Sequence, residues 1–168
     1  IFISHEIGHA LGLPHNMKAS SAYPVDSLRS GKFTQKMGIA TTIMDYARYN
    51  YVAQPGDENI RFVRQLGPYD DYSIEWGYRY FSEKTIDEET EILRKFVDEK
   101  NLNPIYMFGS SWGDPNSQTE NIGNDPVLAS DYGLKNLKIV ADNLIEWTYE
   151  PNKSFNDLNE LYGELLGV

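Results

Sequence analysis

All three histidines of the chain fall in the run His5-Glu6-Ile7-Gly8-His9-Ala10-Leu11-Gly12-Leu13-Pro14-His15, and this run constrains the local fold more tightly than any other. Its first part is helical by pattern. At ~100° per residue Ile3, Ile7, Ala10 and Leu11 share one face, with His5 and His9 together on the other. Gly12 is a C′-type stop and Pro14 bars continuation, so a helix over residues 1–11 must end in a sharp turn. The chain opens on Ile1-Phe2-Ile3 with no cap, initiator Met or signal-peptide layout, which reads as the start of a piece of something longer.

There is no cysteine, which excludes disulfide staples, Cys-based zinc sites, iron–sulfur clusters and thiol nucleophiles. Any metal must therefore use His, Asp, Glu or Tyr. With 25 acidic against 15 basic residues the net charge is −10, and no run of Lys and Arg makes a basic stripe, so nucleic acid is not an expected partner. Apolar stretches of a few residues fall well short of the ~20 needed to span a bilayer. For 168 residues one core is affordable without staples.

Further along, the periodicity fails between Asn16 and about Ala40, where Ser, Gly, Pro and Lys predict a long loop. Residues 39–46 form a short apolar patch ending in a turn. Gly67-Pro68 with Asp70 and Asp71 opens a second helix running to about Phe81. Thr85 and Glu88 fit a capping box before a third, ending near Lys100, whose Ile92, Leu93, Phe96 and Val97 form its apolar stripe. Residues 104–109 are consistent with one short strand, and 110–125 read as a polar loop. Two more helical patterns follow, one carrying Leu137, Val140, Ala141, Leu144 and Ile145, the other Leu158, Leu161, Tyr162, Leu165 and Leu166.

One turn apart on a helix, the His5 and His9 imidazoles can both reach one ion at about 2.0–2.1 Å. Beyond the turn at Gly12, His15 can swing back to supply a third nitrogen, leaving the fourth tetrahedral position of a zinc ion for water. Glu6, beside His5, is placed to act as general base toward that water. A bare His-Glu-x-x-His arises often by chance; requiring Gly12 and His15 as well lowers the frequency to the order of one chain in 10⁵.

That run resembles the elongated zinc signature of the metzincin metallopeptidases. The resemblance implies that His5, His9 and His15 bind Zn²⁺ and that Glu6 is the catalytic base. It implies equally that Thr42-Ile43-Met44-Asp45-Tyr46 is a Met-turn, with Met44 underlying the imidazoles, and that Tyr46 ligates zinc at rest or stabilises the oxyanion. Together with Tyr23-Pro24-Val25-Asp26-Ser27-Leu28-Arg29, Ile74-Glu75-Trp76-Gly77-Tyr78 and Gly123-Asn124-Asp125-Pro126-Val127, these motifs are similar to the large bacterial Met-zincin proteins of Bacteroides-like bacteria, which are zinc-dependent proteases.

The resemblance implies an α+β, mainly α-helical fold: the C-terminal part of a metzincin-like catalytic domain, starting at its catalytic helix. Residues 1–82 would hold the zinc-binding helix, Met-turn and following helix, and 83–168 a helical extension packed on them. It also implies a protein or peptide substrate, an extracytoplasmic location (periplasmic, outer-membrane-associated or secreted), and an upstream part of the same polypeptide completing the cleft, without which the fragment would have little activity. Two departures stand out: Asn16 follows the third His where many metzincins carry Asp, Glu, Ser or Pro, and the strands that precede the catalytic helix are not in this sequence. A zinc-stabilised scaffold without turnover, or hydrolysis of a non-peptide amide or ester, stay open as alternatives. Asp114, Asn116, Gln118 and Glu120 alternate as in a calcium loop but lack its central Gly, and read as a polar surface loop.

Overall fold

Helix α1 (Phe2–Ala10) stops where the sequence requires, and Gly12 turns the chain at a φ of +82°. In this computed structural model, which describes residues 2–82, 84–110 and 113–167, the helix lies with its polar side inward. His5 and Gly8 are buried, whereas Phe2, Ile3, Ile7 and Leu11 are 82%, 76%, 54% and 43% exposed. The apolar stripe therefore does not face the core of this chain.

The expected loop over 16–40 instead folds into short helical elements and supplies much of the buried core. It contains a 3₁₀ turn (Ala19–Ala22), helix α2 (Val25–Leu28) and helix α3 (Gly31–Met37). Elements of 4 and 7 residues span one or two turns, too short for a 3.6-residue period to stand out. Ser30 capping Phe33 N–H at 3.3 Å is a start signal the composition masked. Tyr23, Val25, Leu28 and Ile39 form the buried cluster with Val52, Ile122 and Ala129.

Helix α4 (Pro68–Tyr78) begins on the expected Pro and ends three residues before Phe81. Helix α5 (Ile86–Lys100) carries the Thr85/Glu88 capping box, and its apolar stripe is half-buried, Phe96 packing on Tyr72 of α4 at 5.4 Å between ring centroids. The strand expected over 104–109 does not form. Pro104–Tyr106 is a 3₁₀ turn started by the Asn103 side chain, which accepts from Ile105 N–H at 3.1 Å, and no strand occurs among the described residues. The chain is mainly helical, as expected. Helix α6 (Pro126–Thr148) is capped by Asp125, whose carboxylate accepts from Val127 and Leu128 N–H, and it pairs with α7 (Asn156–Gly167). Of its predicted apolar residues Leu144 is buried but Ile145 is 70% exposed. No described helix is long and apolar enough to cross a membrane.

Three long-range ties bring these parts under α1. Asn16, fully buried, gives its amide N–H to Met44 O at 3.1 Å, its side chain to Met107 O at 3.0 Å, and accepts from Gly109 N–H at 3.0 Å. Asp70, on the first turn of α4, accepts from the Thr42 hydroxyl, from Ile43 N–H at 3.2 Å and from Gly67 N–H at 2.8 Å. Lys18 pairs with Asp114 at 2.6 Å, so that carboxylate of the polar loop is committed to a lysine.

Candidate metal centre

The sequence places His5 and His9 on one side of α1, and the turn at Gly12 returns His15 to meet them. His15 Nε2 stands 3.2 Å from His5 Nε2 and 2.9 Å from His9 Nε2, and ligand nitrogens from all three lie within 4.8 Å of one another. The tautomers follow from the opposite ring edges. His5 donates through Nδ1–H to Ile43 O at 2.7 Å and His9 through Nδ1–H to Leu13 O at 2.9 Å. A carbonyl only accepts, so both Nδ1 atoms carry a proton, and Nε2 is the nitrogen each ring turns toward His15.

Burial, followed by the charges of His9 and His5, pushes the pKa of His15 below its ordinary value, against the opposing pull of the Glu6 carboxylate. A lowered pKa favours the neutral imidazole, the form that can ligate a metal. Three imidazole nitrogens with lone pairs aimed at one point repel one another unless a cation or a shared proton sits between them. A tetrahedral zinc site with Zn–N near 2.0–2.1 Å puts its nitrogens about 3.3 Å apart, close to the two separations measured from His15 Nε2. The donor set fits such an ion.

Met44 is buried in the turn at residues 43–44, against α1. Its sulfur sits so close under α1 that a Cβ at Gly8 would stand 2.3 Å from Sδ. Glycine at this position is what lets helix and turn approach. Asp70 holds that turn from α4, and burial raises its pKa against the three hydrogen bonds that lower it. Asp45 is buried beside Met44 with its carboxylate accepting from Ser20 N–H at 2.6 Å, and burial raises its pKa from 3.8 to about 6.

Tyr46, 42% exposed, roofs the cluster: its ring lies 5.4 Å from that of His5, nearly parallel, and 4.4 Å from that of His15. Glu6 is exposed on α1 and near enough for its charge to act on His15. Next to Tyr46 opens a cavity of about 520 Å³ lined by Phe2, Tyr49, Phe62, Arg48 and Arg64 among others.

The structure groups His5, His9 and His15 with Tyr46 stacked on His5 and against His15, sets Met44 against Gly8 of the same helix, and leaves Glu6 exposed on α1 and Gly12 at its turn. Sequence reasoning missed Gly8, Asn16 in its tying role, Asp70 as the anchor of the turn, and Arg64. For Gly8 a signal exists, because glycine inside an otherwise helical pattern marks a close approach. For Asn16, Asp70 and Arg64 the partners are distant in sequence, and nothing local announces them. A family model described as Met-zincin matches residues 1–168. No curated protein and no solved structure matches the chain.

Proposed function

The chain belongs to the Met-zincin family, and from that premise we propose that it carries the zinc centre of a metalloendopeptidase, with His5, His9 and His15 as ligands and Glu6 as general base. The observation that carries this reading is the convergence of three imidazole Nε2 atoms, two of them with the tautomer set by a backbone carbonyl. When bound, Zn²⁺ supplies Lewis-acid charge that polarises a carbonyl and makes water ionisable near neutral pH.

The residues of the chain do the rest. Glu6 accepts the proton of the attacking water and returns it to the leaving amine. The Tyr46 phenol, above His5 and His15, donates a hydrogen bond to the oxygen on which negative charge develops. Met44 keeps α1 and the turn in register without touching substrate. The cavity beside Tyr46 receives a side chain of an extended peptide.

In this reading residues 1–82 hold the chemistry and 83–168 pack against them, Asn16 and Tyr72 being points of contact. The exposed Phe2, Ile3, Ile7 and Leu11 support a further part of the same polypeptide closing the cleft over α1. An extracytoplasmic location goes with the same reading.

The test is cleavage of an unfolded protein by the intact polypeptide that includes this chain. Loss of cleavage in Glu6→Gln, with zinc content unchanged, is expected. Stoichiometric zinc without cleavage in the wild-type protein would instead favour the scaffold role, and cleavage that survives Glu6→Gln would remove Glu6 from the mechanism.

A further inference from the structure

The carbonyl of Ile43 takes two donors. His5 Nδ1–H reaches it at 2.7 Å and Arg64 Nη1 at 3.3 Å, so both lone pairs of this oxygen are engaged. Arg64 approaches from the segment between residues 50 and 68, far from α1 in sequence, and is half-buried. Burial lowers its pKa, and the charges of Asp45 and Tyr46 oppose that shift. Arg64 and Tyr46 also line the same cavity.

Resting on the zinc reading above, we propose that Arg64 is a positioning residue for the metal centre: it holds the Ile43 carbonyl against which His5 is oriented, and backs the Tyr46 phenol. Three features support this. An imidazole ligand keeps its direction only as well as the acceptor on its far nitrogen is fixed, and outer partners of this kind typically affect metal affinity by 10–100-fold. The Ile43 carbonyl lies on an irregular turn rather than in a helix, so no backbone ladder fixes it. A half-buried guanidinium is costly to place, and its planar fork suits a role that demands direction more than charge.

Charge alone would act the other way. A cation close to a zinc site repels the metal, so deleting Arg64 for purely electrostatic reasons would tighten zinc binding. The sign of the change therefore separates the two roles.

The test uses the zinc-loaded chain, with zinc affinity from competition against a chromophoric chelator and imidazole N–H signals from NMR. Only three histidines are present. His5 and His9 each have an Nδ1–H on a carbonyl, but only that of His5 shares its acceptor with Arg64, so His9 is an internal control. Arg64→Met is expected to weaken zinc binding by about 10-fold and to move the His5 signal while leaving that of His9 in place. Arg64→Lys, which keeps a donor and the charge, should recover part of both effects. Unchanged or tighter zinc binding, or movement of both signals together, would overturn the proposal. If Arg64→Met does not fold, Arg64→Lys decides alone: a shifted His5 signal with His9 unmoved supports it, and an unmoved His5 signal defeats it. A wild-type chain that takes up no zinc sinks the parent reading and this inference with it, a result visible before any variant is made.

Discussion

Gly8 shows how one absent side chain sets the geometry of a site. Its bare Cα, on the helix that carries His5 and His9, lets the Met44 sulfur approach α1 to a distance that any Cβ would violate. Gly8→Ala gains helix propensity of up to ~1 kcal/mol but overpacks a buried contact at a cost of ~1–3 kcal/mol, so net destabilisation of about 1 kcal/mol is expected, with weaker zinc binding. Gly77, on α4 with open space around its Cβ position, is the control: Gly77→Ala should stabilise by about 0.5–1 kcal/mol and leave zinc affinity unchanged. Urea midpoints of both variants check the pair, and a neutral Gly8→Ala would show that Met44 moves aside freely. At this scale the grouping of His5, His9 and His15 was legible, because such a ligand set is tied to residue type and spacing. Arg64 and Asp70 were not, since an arginine or an acid at a loop or helix start has many ordinary uses and only the fold reveals which one applies.

Between α1 and α4 the turn around Ile43 and Met44 is held by the Asp70 side chain and by the Asn16 N–H bond to Met44 O rather than by a ladder. Asp70 accepts three donors there, two of them within the turn. Asp70→Ala leaves buried donors without acceptors, each costing ~1–3 kcal/mol, and should destabilise the chain by about 3 kcal/mol and lower zinc affinity through Ile43 and His5. Asp70→Asn keeps one acceptor oxygen and should lose less; equal losses, read from thermal midpoints and chelator competition, would mean the carboxylate does not hold the turn. Long elements were easy to read, α5 from its Thr85/Glu88 box and α6 from its periodicity. The error over 16–40 came from α2 and α3, whose shortness hides the period and whose burial arises from contacts with Val52, Ile122 and Ala129 far along the chain. The outward apolar face of α1 has a related origin: which face of an amphipathic helix is covered depends on what else packs there, and here the side carrying His5 and Gly8 is the one that meets Ile43 and Met44.

For the molecule as a whole, the site contributes to stability in two opposite ways. Asp45 is raised to about 6 from 3.8, so the folded chain binds its proton more tightly than the unfolded one; the favourable contribution is present in full below the unfolded value and is lost as pH rises through about 6. Its size is at most roughly 3 kcal/mol, and Asp70 shifts in the same direction. Metal-free protein should therefore lose stability between about pH 4 and 6, and Asp45→Asn should flatten that loss, as urea unfolding in the presence of a chelator would show. A slope unaffected by Asp45→Asn would assign it to other carboxylates. Zinc held by the proposed centre would bind only the folded state and add stability that grows with free metal, by about 2.7 kcal/mol at a hundred times the dissociation constant.

Zinc-edge X-ray absorption on the metal-loaded chain addresses the three-histidine centre most directly. We expect one zinc per chain with three imidazole nitrogens at about 2.0–2.1 Å, falling to two in His15→Ala. Substoichiometric zinc, or a wild-type spectrum with fewer than three imidazoles, would contradict it.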